Sequence, residues 1–372
     1  EISRSDWSSD VCSSDLHHLS TWKGTIMELD YKRIVVTFLM HLGDVILTTP
    51  FLEVLRKAAP HSHITYVIDE KLQQVMQYNP NIDELIVVDK KGRHNSISGL
   101  NEVAREINAK GKPDIVINLH PNERTSYLAW KIHAPITTGM SHFLFRPFMT
   151  KYTRLDRKTR HAADMYINVL EQLGVTDTSN SGLHIETCEA WRREAQDFYA
   201  SHGLTDSDTL IGFNIGSAVP EKRWPAERFA HVADHFGRLG YKTVFFGGPM
   251  DLEMVQPVVE QMETKPIVAT GKFQLGPLAA AMSRCNLLIT NDSGPMHVGI
   301  SQKVPIVAIY GPSNPFFYGP YQAHAIVLET MDSYEVGKSM KKIIKEGNYK
   351  GLSVISEEQV IKAAETLLSE SK

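Results

Sequence analysis

Two successive series of short apolar segments, each alternating with stretches of helical period, constrain the fold of this chain most. The first series runs from KRIVVTFLM, which begins at Lys32, to DIVINLH at 114–120. The second runs from LIGFNIG at 210–216 to PIVAIYG at 305–311. Strands that alternate with helices of this size form parallel sheets covered by helices on both faces. The pattern therefore predicts an α/β protein with two Rossmann-like, doubly wound parallel-sheet domains that face a cleft.

The two series define two domains, which we place at residues 27–180 and 181–355. The last helix, within 356–372, is expected to pack back on the first domain. Residues 1–26 are rich in Ser and Asp and show neither a helix nor a strand period. Because the string RSDWSSDVCSSDL within them resembles translated sequencing-adapter DNA, we interpret residues 1–26 as an artefactual, disordered leader.

Composition excludes several classes of protein. The formal net charge is −4, which argues against a protein held to nucleic acid by bulk positive charge. No apolar run approaches the about 18–20 residues that a membrane-spanning helix needs. The three cysteines, Cys12, Cys188 and Cys285, lie far apart and suggest neither a disulfide framework nor a metal site. We therefore expect a cytoplasmic protein with no metal centre and no nucleic-acid partner.

Ligands of doubly wound sheets bind at the carboxyl ends of the strands, where helix N-termini point into the cleft. The first such turn, His41-Leu42-Gly43-Asp44, directly follows the first strand. Gly43 permits a close approach of backbone. Asp44 either caps the following helix or presents a carboxylate to the cleft as a general base, and the turn alone leaves both open. No GxGxxG motif follows this strand, which argues against a dinucleotide-binding dehydrogenase.

The turn Asn291-Asp292-Ser293-Gly294-Pro295-Met296-His297 has the composition of a phosphate site. Ser293 and Gly294 open a helix whose free N–H groups and dipole favour an anion. Asp292 is expected to orient the loop or to meet a sugar hydroxyl. His297 lies one turn into the helix, where it either donates to phosphate or is an ordinary packed histidine.

Two further turns of the second series complete the candidate donor site. Ser217 and Lys222 follow the strand LIGFNIG and place a hydroxyl and a cation where a pyrophosphate would lie. Glu253 follows the Gly247-Gly248 turn, and a carboxylate there suits the vicinal hydroxyls of a ribose. The alternative for this turn is plain helix capping by Asp251.

Together these segments resemble one family. LGDVILTTPFLEVLRKAAP, KRWPAERFA, TNDSGPMHVG and VPIVAIYGPSNP resemble, in order and spacing, the ADP-heptose:lipopolysaccharide heptosyltransferases of glycosyltransferase family 9. HLGDVILTTP and VVDKK look closest to the heptosyltransferase III type, which adds a branch heptose. The resemblance implies a GT-B fold and an inverting, metal-independent transfer of heptose from ADP-L-glycero-D-manno-heptose to the lipopolysaccharide inner core, with no cofactor.

The resemblance also implies roles for individual residues. Asp44 would be the general base, and Lys222 the cation on the leaving diphosphate. With the turns above, the candidate donor-binding residues are Gly43, Ser217, Lys222, Glu253, Asp292, Ser293, Gly294 and His297. The acceptor carries acidic Kdo and phosphate groups, so the candidate acceptor-binding residues are Arg124, Arg154, Arg157 and Lys158. The alternative for these basic residues is an ordinary solvated loop.

Such an acceptor, Kdo-lipid A or an already heptosylated core, implies peripheral contact with the cytoplasmic face of the inner membrane. The competing interpretations are a transferase that uses another nucleotide-sugar, a GT-B sugar-nucleotide epimerase and a non-catalytic nucleotide-sugar binding protein. The combination of Asp44 and Lys222 argues against mere binding. The Asp206-Ser207-Asp208 sequence has the form of a metal-binding DxD motif, but it precedes a strand, which predicts a surface turn.

Overall fold

The computed structural model shows two α/β domains, and it describes residues 28–120, 122–141, 143–154, 159–330, 340–346, 349 and 351–370. The predicted leader at 1–26 lies outside the described residues, as do the candidate acceptor residues Arg157 and Lys158. Arg154 is described as the last residue of a strand.

The first domain is a six-stranded parallel sheet with helices on both faces. Its strands are β1 Arg33–Thr37, β2 His63–Asp69, β3 Glu84–Val88, β4 Ile115–Asn118, β5 Ile136–Ser141 and β6 Thr153–Arg154. Its helices are α1 Leu42–Ile46, α2 Thr49–Ala58, α3 Gln73–Met76, α4 Ile97–Ala109, α5 Glu123–Lys131 and α6 Ala162–Glu171. The first four strands belong to the first predicted series, which ends at residue 120, whereas β5, β6 and α5 follow it.

The second domain repeats this design. Its strands are β7 Leu210–Asn214, β8 Lys242–Phe246, β9 Ile267–Val268, β10 Leu287–Asn291, β11 Ile306–Tyr310 and β12 Ala325–Glu329. Its helices are α7 Glu189–Ser201, α8 Ala226–Arg238, α9 Leu252–Glu260, α10 Leu275–Met282, α11 Gly294–Ser301, α12 Pro315–Tyr318, α13 Met340–Lys345 and α14 Glu357–Glu370. Strands β7 to β11 belong to the second predicted series, whereas β12 follows its last segment. Helix α7 lies before the first segment of that series.

The strands form where β-branched residues alternate between two buried faces. In β1, Ile34 and Val36 face one apolar core and Val35 faces the other, and all three are almost completely buried. Burial on both faces is the rule for parallel sheets, because helices cover each side. The core that contains Ile34 and Val36 also takes in residues of the second domain, such as Met296 in α11, so the two domains share apolar packing.

Strand order fixes where a ligand can bind. The first sheet has the order β3-β2-β1-β4-β5-β6, and the second has the corresponding order, β12-β11-β10-β7-β8-β9, written from its other edge. In each sheet the strands are added first towards one edge and then towards the other. The order reverses between β1 and β4 in the first sheet and between β7 and β10 in the second. Such a switch point opens a crevice at the carboxyl ends of the strands. The turns that the sequence singled out after β1, β7 and β10 all lie at these two crevices.

The two crevices meet because two glycines let α1 and α11 touch. A Cβ atom on Gly43 would lie 2.8 Å from Cδ2 of the buried His297 ring. Reciprocally, a Cβ atom on Gly294 would lie 3.0 Å from the Leu42 side chain. The first turn of a helix in one domain thus packs directly against the first turn of a helix in the other.

The C-terminal helix α14 packs on the second domain, which corrects the expectation that it returns to the first. Its apolar face covers α8 and the strands β10, β11 and β12. The segment before it is held by Trp224, whose indole Nε1 donates to the carbonyl oxygen of Ile355 at 3.0 Å. The apolar residues of α14 thus bury one face of the second sheet, which would otherwise be exposed to solvent.

The contact between α1 and α11 predicts that Gly43→Ala destabilises the protein. The added methyl group must displace either the buried His297 ring or one domain relative to the other, and overpacking of this kind costs about 1–3 kcal/mol. Differential scanning calorimetry should show a lower Tm. Gly248→Ala is the matched control, since φ at Gly248 is −76° and the nearest atom to an added Cβ lies 3.8 Å away. Equal melting of the two variants would contradict this account of the interface.

Candidate active site

A cleft of about 300 Å³ lies where the two switch points meet. Eight of the residues predicted from the sequence line it together, although they come from both domains: Gly43, Asp44, Ser217, Lys222, Asp292, Ser293, Gly294 and His297. The other lining residues are His41, Leu47, Ala218, Val219 and Tyr318. The predicted residues Glu253 and Arg124 do not line this cleft.

Asp44 is not the cap of its helix. The N-cap of α1 is His41, whose side chain makes no capping hydrogen bond, and Asp44 is the third helical residue. Burial raises the pKa of Asp44, against the opposing pull of the His41 backbone N–H and of the Lys222 charge. The carboxylate therefore faces the cleft with a greater affinity for a proton than an exposed aspartate has, as a general base requires.

Lys222 is paired with Asp292 at the floor of the cleft. Its Nζ lies 2.6 Å from Oδ2 of Asp292, and the two side chains are 19% and 7% exposed. The hydroxyl of Ser313, in the loop after β11, donates to the same carboxylate oxygen. Lys222 and Asp292 are 70 residues apart and meet only because their turns follow the adjacent strands β7 and β10. The cleft thus holds a fixed ammonium group whose charge is already partly balanced.

The helix start at Ser293 leaves its backbone N–H groups without a side-chain cap. Ser293 has the extended N-cap conformation, but its hydroxyl makes no capping hydrogen bond. Instead its Oγ accepts from Nδ2 of Asn214 at 2.9 Å. The first N–H groups of a helix need a partner from outside the helix when the cap side chain is engaged elsewhere. The start of α11 is therefore suited to an anion.

Sequence reasoning missed Asn214, which holds Ser293 in this position. Asn214 is the last residue of β7 and is completely buried, and its Nδ2 also lies 3.0 Å from Oγ1 of Thr290. Asparagine is disfavoured inside strands. An asparagine that ends an otherwise apolar buried strand was the available signal, and it appears again at Asn291, whose Oδ1 accepts from the Trp224 backbone N–H.

His297 is a packed, neutral histidine. It is 5% exposed, and burial lowers its pKa to about 4, an effect that the nearby charges of His161 and Lys222 increase and that of Asp292 opposes. Its Nδ1 is buried without a hydrogen-bond partner among the described residues. At neutral pH the ring can therefore offer a phosphate an N–H group but no positive charge.

The two carboxylates that follow the Gly-Gly turn occupy different positions. Asp251 accepts from the Gly248 backbone N–H at 2.8 Å, and its carboxylate packs against Gly216, where a Cβ would lie 2.4 Å from Oδ1. Glu253 lies in the first turn of α9 and is exposed. Asp251 thus lies against the residue before Ser217, and the assignment of Glu253 to a ribose stays a prediction.

A basic pocket of about 520 Å³ opens beside the cleft in the first domain. It is lined by Leu39, Lys90, Lys91, Asn95, Asn122 and Arg124. Nη1 of Arg124 donates to the Lys90 carbonyl oxygen at 2.7 Å, and its Nη2 donates to Oδ1 of Asn95 at 2.8 Å. Lys90 pairs with Asp69 at 2.6 Å, whereas Lys91 is exposed. Arg124 therefore shapes the pocket, and Lys91 is its most accessible cation.

Two other features concern metals and membranes. Within the described part of the chain, no group of three or more His, Cys, Asp or Glu side chains is arranged to hold a metal ion. Asp206 and Asp208 lie in the predicted surface turn, where Asp208 accepts from the Thr205 backbone N–H at 2.7 Å. None of the described helices is long and apolar enough to cross a membrane.

Comparisons with known proteins give one family. The model described as glycosyltransferase family 9 (heptosyltransferase) matches residues 102–349, which include Lys222 and Asp292. Lipopolysaccharide heptosyltransferase 3 of Escherichia coli (strain K12) is 27% identical over 340 residues, or 88% of this chain and 96% of that protein. A crystal structure of a glycosyl transferase family 9 from Veillonella parvula DSM 2008 is 94% identical with a TM-score of 0.90, over 93% of this chain and 100% of that one.

A more distant solved structure agrees in fold. The E. coli heptosyltransferase WaaC with ADP has a TM-score of 0.70 at 18% identity, over 91% of this chain and 100% of that one. The GT-B fold predicted from the sequence is thereby confirmed.

The Lys222–Asp292 pair makes a prediction about stability. Lys222→Ala leaves the buried Asp292 carboxylate with only the Ser313 hydroxyl among the partners described above. Breaking a buried ion pair costs about 3–5 kcal/mol, and we expect a loss near the lower end because Lys222 is partly exposed. Adding Asp292→Asn should restore much of the unfolding free energy, since it removes the unpaired charge.

Denaturant unfolding of the single and double variants measures the effect. Arg193→Ala is the control, because it breaks an ion pair with Glu189 whose side chains are 68% and 79% exposed, and such pairs contribute little. A double variant no more stable than Lys222→Ala would show that the charge of Asp292 is not what Lys222 compensates.

Proposed function

Because the chain belongs to glycosyltransferase family 9, the heptosyltransferases, we propose that it transfers heptose from ADP-L-glycero-D-manno-heptose to the inner core of lipopolysaccharide. The observation that carries the proposal is the single cleft that sets the Asp44 carboxylate of one domain opposite the Lys222 ammonium group and the uncapped α11 start of the other. A base and an anion site that face each other are what a displacement between a hydroxyl nucleophile and a phosphate leaving group needs.

The second domain supports the role of donor site. As the bond between the anomeric carbon and the diphosphate oxygen breaks, negative charge grows on the diphosphate. The N–H groups of Gly294 and its neighbours, the Ser217 hydroxyl and the Lys222 ammonium group are fixed before that charge appears, so little reorganisation accompanies the reaction. Entry of the diphosphate would bring Lys222 a second anionic partner beside Asp292, which leaves the Asp292 carboxylate able to accept from a hydroxyl of the sugar.

The first domain supports the role of base and acceptor site. The acceptor hydroxyl forms the new bond to the anomeric carbon, and its proton passes to Asp44 as that bond forms. Attack from the side opposite to the leaving diphosphate inverts the configuration at this carbon. The raised pKa of Asp44 makes this proton transfer more favourable than it would be to an exposed carboxylate.

Acidic groups of the acceptor suit the basic pocket of the first domain. Lys91 is exposed there, and Arg124 holds the loop that carries it. Arg154, Arg157 and Lys158, selected from the sequence, remain the proposed contacts of a Kdo or phosphate group beyond the pocket. We further propose the heptosyltransferase III type of acceptor, on the local resemblance of HLGDVILTTP and VVDKK, and a cytoplasmic enzyme in peripheral contact with the inner membrane.

The proposal is tested by incubating the protein with ADP-heptose and a series of core-truncated lipopolysaccharides. ADP release and a product heavier by one heptose are the expected results. Release of ADP with no gain in acceptor mass would indicate hydrolysis. A change of the free nucleotide-sugar without any acceptor would indicate the epimerase alternative. ADP-glucose and UDP-sugars, run in parallel, test the alternative of another donor.

Lys222→Ala is expected to weaken ADP binding. A charge-assisted contact of this kind is worth about 1.5–3 kcal/mol, which corresponds to a rise in Kd of roughly 10- to 150-fold. Isothermal titration calorimetry at a temperature well below the Tm measures it. Arg193→Ala removes a cation that does not line the cleft and should bind ADP like the wild type. An unchanged Kd in Lys222→Ala would remove Lys222 from the diphosphate site.

Asp44→Asn should separate chemistry from binding. Turnover is expected to fall by about 10² or more, the usual scale for a lost general base, while the Kd for ADP-heptose holds. The wild-type rate should also decline as the pH falls through the raised pKa of Asp44. Asp206→Asn, in the exposed turn, should be silent. An Asp44→Asn enzyme with normal turnover would end the base assignment.

The same variant carries a stability test with a definite sign. In the folded protein the pKa of Asp44 lies above its ordinary value of 3.8. Protonated Asp44 therefore contributes to the free energy of unfolding at low pH, and this contribution is lost as the pH rises through the folded-state pKa. Asp44→Asn should therefore melt at or above the wild-type Tm at neutral pH. The difference should shrink below the ordinary pKa, because the wild-type residue is then neutral as well.

A further inference from the structure

One edge of the first domain exposes aromatic and aliphatic side chains that have no role in the cleft. Trp130 at the end of α5 is 42% exposed, Leu144 is 60% exposed and Tyr152 is 45% exposed. Single exposed apolar residues are normal on a protein surface, but a group of them marks an interaction site.

Helix α5 packs against the helical turn Phe143–Phe148, so these side chains lie on neighbouring elements, together with basic residues. The Trp130 ring centroid lies 6.0 Å from that of Phe148, and Lys131 Nζ lies 5.9 Å from the Trp130 ring. The Arg146 guanidinium lies 4.4 Å from the centre of the Tyr152 ring. We call this the aromatic–basic surface; it consists of Trp130, Lys131, Leu144, Arg146, Phe148, Lys151 and Tyr152.

The charge of this region differs from that of the whole protein. Between Ser126 and Arg154 the sequence has four Lys or Arg residues and no Asp or Glu, although the chain as a whole has a net charge of −4. Arg146 and Lys151 are exposed, and the described residues give neither of them an ion-pair partner. The surface is therefore positive where the protein is negative overall, and nothing in this segment neutralises it.

We propose that the aromatic–basic surface docks the protein on an anionic lipid membrane. Trp and Tyr rings favour the level of the lipid headgroups, and each Lys or Arg near an anionic surface adds attraction. An aliphatic side chain as exposed as Leu144 gains by burial among acyl chains. This surface of the protein would make the peripheral membrane contact. The proposal rests on the proposed function in one respect, namely that the acceptor is a membrane lipid.

The surface lies along the outer side of the first sheet. The backbone N–H groups of Thr150 and Lys151 donate to the Thr137 carbonyl oxygen at 2.8 and 3.2 Å, beside the first half of β5. The segment then continues into the edge strand β6. A membrane docked there would hold the domain that carries Asp44 at the lipid surface.

Co-sedimentation of the full chain with vesicles tests the proposal. We expect binding to vesicles of phosphatidylcholine with phosphatidylglycerol and little binding to phosphatidylcholine alone. Arg146→Gln/Lys151→Gln should reduce the binding constant by about 30-fold, the loss expected for two basic residues at an anionic surface. Leu144→Asn should weaken binding to the same vesicles with the charge unchanged.

Matched controls come from exposed residues of the second domain. Lys265→Gln/Lys272→Gln removes the same charge, and Leu239→Asn removes an aliphatic side chain that is 59% exposed. These controls should bind vesicles like the wild type. The proposal is overturned if the wild type does not bind anionic vesicles, or if the controls lose as much binding as the surface variants.

The result is separable from the proposed function. Transfer to a water-soluble core oligosaccharide does not need a membrane, so Leu144→Asn should keep the wild-type rate in that assay. If the wild type binds anionic vesicles but transfers no heptose, the proposed function fails and the membrane surface stands. If transfer occurs and vesicle binding does not, the opposite holds.

Discussion

The close approach of α1 and α11 is the contact on which the arrangement of the cleft depends. Each helix begins at a switch point of its own sheet, and each offers the other a glycine, Gly43 against His297 and Gly294 against Leu42. A larger residue at either position would push the two helix starts apart. Because the glycines let them touch, a carboxylate from one domain and an anion site from the other share a single small cleft. A second contact, in which the His161 and Tyr321 rings stack at 4.9 Å and the Tyr321 hydroxyl donates to Asp164 at 2.6 Å, also joins the domains.

Asp44, Lys222 and His297 differ in charge within the cleft because their burial and pairing differ. Asp44 is buried enough for its pKa to rise, so it is a better proton acceptor than an exposed aspartate. Lys222 keeps its position through Asp292, whose carboxylate also accepts from Ser313. His297 is neutral because it is buried, so it adds no charge that would compete with Lys222. The electrostatics of the site thus follow from burial and pairing that the fold imposes before any ligand enters.

The first domain combines the proposed catalytic base with two basic features, the pocket around Lys91 and the aromatic–basic surface. The base and the pocket follow the carboxyl ends of β1 and β3, whereas the aromatic–basic surface lies beside the outer strands β5 and β6 of the same sheet. Such a division suits the two unlike substrates proposed above, because the second domain presents a fixed anion site for the proposed nucleotide donor while the first presents a broader basic surface for the proposed acidic lipid.

The sequence by itself determined the architecture and most of the cleft. Buried β-branched strands such as β1 and β10 are visible because their apolar residues leave little choice of structure, and the turns after them must lie at the carboxyl edge. Eight of the predicted residues therefore line one cleft. The edge strands β6 and β12 were missed because one has two residues and the other is only partly buried, so their apolar pattern is weak. Helix α7 buries Trp191, Ala195 and Tyr199, whose spacing of four residues is a helical pattern that the sequence itself contains.

Only the tertiary structure decided how these parts act on one another. The sequence left open whether Asp44 caps its helix, because the cap depends on where the helix begins. The helix begins at Leu42, so the N-cap is His41. The sequence showed an unusual asparagine at the end of β7, but only the structure showed that Asn214 holds Ser293 and that Lys222 and Asp292 pair across 70 residues. Local pattern reports which face of a strand or helix is buried, and so it predicts elements and turns. The pairing, the burial and the pKa of a side chain depend on neighbours that are distant in the chain. Those neighbours are in place only when both sheets have formed and the two glycines allow α1 and α11 to touch.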